Sequence, residues 1–154
     1  MANATKDEPT KVLYRKSTIS PHAEHDVQSR IFRVMAAACA ELSDELRKHD
    51  LEFVAYLPDT HYTTRVADFR FQHVSDKHEI GFLRAIVFTP VIGNDAEGRL
   101  VLKGFTIHIQ LYLDSVRESV TVREDSLLQM PAEQERFKQQ IVGIVHAAVR
   151  KWAS

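Results

Sequence analysis

Residues 105–113 read Phe-Thr-Ile-His-Ile-Gln-Leu-Tyr-Leu, a regular alternation of apolar and polar side chains. Successive side chains of a β-strand point to opposite faces, so this stretch predicts a strand with one buried face and one wet face. Leu100 and Leu102 extend the strand toward its start, but they are out of phase with Phe105. A change of phase within one strand requires an extra residue, and glycine tolerates the dihedral angles of a bulge. We therefore predict a long strand, about 99–113, with a bulge at Lys103-Gly104.

Four other segments show a period of two, although the last of them is less regular. They cover approximately residues 51–57, 62–73, 79–91 and 116–123. The links between them are too short for the crossover that parallel strands require. The pattern therefore predicts an antiparallel meander of four or five strands.

Amphipathic helices are predicted on both sides of these strands. The first begins at Ser20-Pro21, and its apolar stripe runs at steps of three and four from Val27 to Leu46. The second begins at Pro131 and carries a stripe from Phe137 to Trp152. We expect an α+β fold in which the sheet packs against an N-terminal and a C-terminal helix. Residues 19–154 then form a single domain, and residues 1–18 form a disordered or loosely docked arm.

The composition excludes several classes of protein. Apolar residues make up 44% of the chain and charged residues 27%, as in ordinary globular domains. The 20 Lys and Arg against 21 Asp and Glu leave no basic excess of the kind that binds nucleic acid. Since no apolar run has the length of a membrane span, we expect no membrane partner and a cytoplasmic location.

Motifs for catalysis or cofactor binding are not found in the sequence. The single cysteine, Cys39, falls among alanines in the first helix and is interpreted as a small buried or half-buried thiol. The eight histidines do not form a recognised ligand set, and the phosphate-loop, dinucleotide and nucleophile-elbow signatures are missing. We therefore expect no catalytic residues, no metal and no cofactor.

The third predicted strand is apolar on both sides. Ile80, Phe82, Ile86 and Phe88 lie on one side together with Arg84, whereas Leu83, Ala85 and Val87 lie on the other. Helices packed on one face of the sheet would cover only one of these sets. The remaining strip is then expected to be covered by the N-terminal arm, by a second subunit or by a partner.

These faces lead to two hypotheses of function. The first is a non-enzymatic binding protein that uses its sheet face for a protein partner or for self-association as a homodimer. Its candidate residues are Arg70, His108, Gln110, Tyr112, Leu83 and Val87. The alternative is a small-molecule-binding protein or an enzyme with a pocket between helices and sheet, for which His108, Tyr112 and Arg84 are candidates. A simply solvated polar face also fits the pattern.

Overall fold

The computed structural model describes residues 21–56 and 65–154. Its helices are α1 (Pro21–Glu41), the short α2 (Ser43–Arg47) and α3 (Pro131–Ala153). Its strands are β1 (Leu51–Tyr56), β2 (Arg65–His73), β3 (Glu79–Asn94), β4 (Leu100–Leu113) and β5 (Val116–Glu124). The predicted arm, residues 1–18, and the predicted start of the second strand lie outside the described residues.

The strands form one antiparallel sheet in the order β1-β2-β3-β4-β5. This confirms the predicted α+β fold, and the less regular fifth segment is a full strand. Within the described residues, no helix is long and apolar enough to cross a membrane.

The two long helices lie on the same face of the sheet and bury the predicted stripes. Val27, Ile31, Met35 and Ala38 of α1 and Phe137, Ile141 and Val145 of α3 are fully buried. The helices run in the same direction, because contacts between them follow both chains in order. Arg30 Nε donates to the Leu127 carbonyl just before α3 at 2.8 Å, Lys138 Nζ lies 2.8 Å from Glu41, and His146 Nδ1 lies 2.8 Å from Glu45.

The predicted bulge in β4 is confirmed. Val91 pairs with Gly104 and Ile92 pairs with Leu102, so Lys103 is the extra residue. Gly104 is required for a second reason: a Cβ at this position would overlap the carbonyl oxygen of Glu124 on β5. The bulge places Phe105, Ile107, Ile109 and Leu111 together in the core.

A second bulge in the facing strand was not predicted. Ile86 pairs with His108 and Thr89 pairs with Thr106, so β3 has one more residue than β4 across this interval. Val87 has a φ of 57° and a side chain that is 51% exposed. The expectation that Val87 shares a side with Leu83 and Ala85 is therefore wrong, because both of these are fully buried. Beyond the bulge, Phe88 packs against the core and stacks on Phe105 with ring centroids 5.7 Å apart.

We expect Val87→Gly to stabilise the protein. A left-handed backbone costs an L-residue about 1–2 kcal/mol, and the strain is relieved in glycine, which loses part of this gain through its greater unfolded-state entropy. The net gain should be up to about 1 kcal/mol, measured by urea denaturation. Ile92→Gly is the matched control, because Ile92 is an exposed residue of the same strand without a positive φ. That substitution should destabilise the protein, and a loss of stability in both variants would contradict strain at Val87.

The end of the β3–β4 hairpin extends beyond the rest of the sheet. The β2 ladder begins opposite Ile86, and the β5 ladder ends opposite Phe105. Residues 91–94 of β3 and 100–104 of β4 therefore form a two-stranded ribbon without a flanking strand among the described residues. Both bulges lie near its base.

Candidate functional site

The face of the sheet that points away from α1 and α3 is the candidate site, and we call it the open face. Along β4, the fully buried core residues alternate with Thr106, His108, Gln110 and Tyr112, which are half-buried. The strand register brings residues of the neighbouring strands beside them: Arg70 pairs with Phe82, Phe82 with Tyr112, and Arg84 with Gln110. Four of the six candidate binding residues, Arg70, His108, Gln110 and Tyr112, therefore share this face.

The other two candidates are not on this shared surface. Leu83 points toward the helices, where it is fully buried among the core residues and is not accessible to a partner. Val87 is exposed, but it lies on the bulge of β3, where the strand changes phase. The apolar side chains that β3 does contribute to the open face are Phe82 and Ile86, which pair with Tyr112 and His108.

A stack of cationic and aromatic groups crosses β3, β4 and β5 on the open face. The guanidinium carbon of Arg84 lies 4.0 Å from the centre of the Phe82 ring, which stacks on Tyr112 with centroids 4.6 Å apart. Arg117 of β5 lies over Tyr112 with its guanidinium carbon 4.9 Å from the ring centre. Each guanidinium–aromatic contact contributes about 0.5–1 kcal/mol at an exposed site and fixes the plane of the guanidinium group. We call these four side chains, Arg84, Phe82, Tyr112 and Arg117, the arginine–aromatic stack.

A similar contact occupies the β1 side of the face. The guanidinium carbon of Arg70 lies 4.7 Å from the centre of the Tyr56 ring, and the Tyr56 hydroxyl donates a 2.7 Å hydrogen bond to Glu79. The bond to the Glu79 carboxylate raises the pKa of the Tyr56 phenol. Arg70 Nη1 also approaches Glu79 at 3.4 Å, so the three side chains support one another.

Asp68 connects the two halves of the open face and is almost entirely buried, with 1% of its surface exposed. Its two carboxylate oxygens accept bonds of 3.1 Å from Nε and Nη2 of Arg70, and Nε of Arg84 lies 3.6 Å from the nearer oxygen. Hydrogen bonding to Asp68 raises the pKa of Arg70. A fork-on-fork pair of this kind fixes both position and plane of the guanidinium group. Asp68 therefore fixes the orientation of Arg70, whereas it forms only an ion pair with Arg84, whose buried Nε has no hydrogen-bond partner among the described residues.

His108 bonds across the β4–β5 pair to hydroxyl groups. Its Nε2 lies 2.8 Å from Ser119 Oγ, and its Nδ1 lies 3.4 Å from Thr121 Oγ1. The first contact has the distance of a serine nucleophile and its base. In hydrolases the second nitrogen is oriented by a carboxylate, however, whereas here it meets a hydroxyl. The pair also lies on an open sheet surface, and neither residue lines any of the three grooves found among the described residues, so the geometry favours a structural cross-strand link.

Concave regions of the described surface lie on the helix side or at the edges of the sheet. One of them, of about 650 Å³, is a groove between α3 and the outer side of β5. A cleft of about 350 Å³ lies between α1 and the start of α3, and one of about 230 Å³ lies between α1 and β1. Thr121 and Arg123 of β5 also line the groove beside α3, whereas Arg70, His108, Gln110 and Tyr112 line none of the three.

Among the described residues, no group of three His, Cys, Asp or Glu side chains could hold a metal ion. The predicted burial of Cys39 is confirmed: it is 7% exposed, and burial raises the pKa of its thiol far above the usual range. A thiol in that state is a poor nucleophile.

Comparison of the chain with protein-family models, curated proteins and solved structures found no match.

Two features of the open face were missed at the level of sequence. Tyr56 was not singled out, because its role depends on Glu79 and Arg70 of neighbouring strands. The sequence pattern puts Phe82 on one of the two apolar sides of β3, but it does not show which side faces the core. The signal was Arg84, which shares the side of Phe82 and Ile86, since an arginine marks the side away from the core.

Proposed function

We propose that this chain is a non-enzymatic binding protein that takes a protein partner on its open face. The observation that supports this is the arginine–aromatic stack together with the Arg70–Tyr56 contact. The proposed contact residues are Arg70, Gln110, Tyr112, Arg117 and His108, all of them half-buried or exposed.

The composition of this surface is that of a protein interface. Interface cores are enriched in tyrosine, phenylalanine and arginine, and depleted in lysine and aspartate. Alanine substitutions with the largest effect on binding fall on tryptophan, tyrosine and arginine. A merely solvated sheet face is expected instead to carry threonine, lysine and glutamate on separate strands, without ordered stacks.

The contacts that order the arginine side chains also reduce the conformational entropy that these side chains lose on binding. A free arginine side chain has about 2 kcal/mol of rotamer entropy, part of which is lost in any complex. Here the ring contacts and the Asp68 carboxylate already restrict Arg70, Arg84 and Arg117. Side chains ordered before binding contribute more to affinity than mobile ones do.

The alternative of a pocket between helices and sheet is not favoured by the positions of its candidate residues. His108 and Tyr112 lie on the open face, beside Arg84. Away from the grooves at its two edges, the space between the helices and the sheet is filled by large buried side chains such as Phe69, Phe71, Phe105 and Phe137.

The proposal predicts that substitutions on the open face abolish a specific interaction. The test is affinity capture from a lysate of the source cells with the wild-type chain and the variant Tyr112→Ala/Arg117→Glu. The matched control is Arg150→Glu, an exposed arginine on α3. Proteins captured by wild type and control should be lost with the open-face variant. For a purified partner, Arg117→Ala should then weaken binding by roughly tenfold, as for a central interface residue.

Identical sets of captured proteins for all three chains would contradict the proposal. The thermal midpoint of each variant is recorded alongside, so that a loss of capture is compared only between folded proteins.

A further inference from the structure

The outer edge of β5 is a second candidate binding surface, because its backbone groups have no strand partner there among the described residues. The strand is the last in the sheet order and pairs only with β4 among the described residues. Half of its backbone N–H and C=O groups therefore point away from the sheet. Such an edge is a template for pairing with another strand.

An apolar groove runs along this edge on the helix side. Val120 and Val122 of β5 form one wall, and Gly143, Ile144 and Ala147 of α3 form the other. Val120 is 37% exposed, although it projects toward the helix layer. The groove has a volume of about 650 Å³, enough for several side chains.

Gly143 provides an independent observation at the same place. Glycine within a helix is less stable than alanine by about 1 kcal/mol, so its presence calls for a close approach by another group. The sequence suggested the sheet or α1 as that group. In the structure, a Cβ at Gly143 would meet nothing within 4 Å among the described residues. Within the described residues, Gly143 therefore has open space beside it, which leaves room for the close approach of a further element.

We propose that a second copy of the chain occupies this edge, with the two β5 strands paired antiparallel across a two-fold axis. α3 lies above β4 and β5, as the Phe105–Phe137 contact and the Lys151–Glu118 ion pair show. Pairing at the normal strand spacing of about 4.8 Å would then bring the two α3 helices to roughly 10 Å from each other. That is the separation of helices in direct contact, and it is reached where the contact residues are small, as Gly143 and Ala147 are.

This geometry favours a second copy over an isolated peptide. An extended peptide would satisfy the strand edge but would bring no helix to Gly143. A second β5–α3 unit supplies both a strand and a helix in the required relation, and a two-fold interface is self-complementary by construction.

The charges along β5 indicate which residues of the two β5 strands would pair with each other. A two-fold axis at Val120 would oppose Arg117 with Arg123 of the second copy, and an axis at Thr121 would oppose Glu118 with Glu124. An axis at Ser119 places Arg117 opposite Thr121, and it opposes no like charges within the strand. An axis at Val122 would also avoid like charges, but it would pair only residues 120–124 of the two strands, whereas an axis at Ser119 pairs residues 116–122. Since like charges directly opposite destabilise a pair of strands and a longer ladder forms more backbone hydrogen bonds, Ser119 is the expected centre.

The test begins with the mass of the wild-type protein by sedimentation velocity across a wide concentration range. We expect a dimer, and we expect Gly143→Arg to raise its dissociation constant by at least roughly tenfold. Since nothing lies near Gly143 and arginine is a good helix former, the thermal midpoint of the variant monomer should not fall. Ala132→Arg is the control on the same helix, at an exposed position outside the groove. It should leave the dimer unchanged.

A cysteine cross-link tests the register directly. Ser119→Cys should form a disulfide-linked dimer on mild oxidation, because residues at the axis face each other within disulfide range. Ser115→Cys, which is equally exposed, should not, and the buried Cys39 does not interfere. A monomer at all concentrations, a dimer that survives Gly143→Arg, or equal cross-linking of the two variants would each overturn the proposal. So would binding of an extended peptide at this edge without dimer formation.

Discussion

Gly81→Ala is expected to destabilise the protein severely, by about 3 kcal/mol or more. Gly81 lies in β3 opposite Leu113 of β4. A Cβ at this position would overlap the carbonyl oxygen of Tyr112 and would lie 2.9 Å from the Leu113 Cα. Both atoms belong to the backbone of a central strand, so the overlap cannot be relieved by a change of rotamer. The β3–β4 ladder must shift, and with it the buried side chains of both strands.

The matched control for this prediction is Gly143→Ala. Its Cβ meets nothing within 4 Å, and alanine favours the helix by about 1 kcal/mol, so the variant should gain stability. Both are measured by urea denaturation at low protein concentration, with the single tryptophan, Trp152, as the fluorophore. If Gly81→Ala changed the free energy of unfolding as little as Gly143→Ala does, the close approach of β3 and β4 at Gly81 would be contradicted.

Asp68→Ala is expected to destabilise the protein by about 3–5 kcal/mol. The substitution removes the carboxylate between Arg70 and Arg84, whose side chains are only 27% and 19% exposed. Two partly buried cations then face each other without the anion that held them. The free energy of unfolding from urea denaturation measures the loss.

Two further variants separate this effect from a general loss of charge. Asp125→Ala removes an exposed carboxylate that pairs with Arg123 at 2.9 Å, and it should change stability little. Adding Arg84→Leu to Asp68→Ala should restore part of the stability, because one of the uncompensated cations is then replaced by an apolar group. If Asp68→Ala lowers the free energy of unfolding no more than Asp125→Ala does, Asp68 is not the anchor of the open face.

Periodicity was sufficient to predict the helices, the strands and the antiparallel order, because each apolar stripe must face one core. The bulge at Gly104 was also predictable, since it combines a glycine with a change of phase. The bulge at Val87 was not, because a β-branched residue carries no signal for a left-handed backbone. The prediction that Val87 and Leu83 share a face failed for that reason.

The arrangement of the open face depends on register, which one strand alone does not reveal. Asp68 alternates with Ala67 and Phe69 and therefore looks like an ordinary solvated residue in sequence. Its burial comes from Arg84, which β3 places directly opposite, and from Arg70, two residues along its own strand. The contact of Arg117 with Tyr112 likewise requires that the two residues be paired across β4 and β5. These contacts are set by the tertiary alignment of four strands, β2 to β5.

The ribbon formed by residues 91–94 and 100–104 gives the described part of the molecule two zones of different stiffness. Five paired strands and their helices resist bending together, whereas a ribbon of two strands is only marginally stable by itself. The bulges at Val87 and Lys103 interrupt the ladder where the ribbon meets the sheet. Thermal bending should therefore concentrate at that junction, and a force on the hairpin tip would be absorbed there before it reached the arginines of the open face.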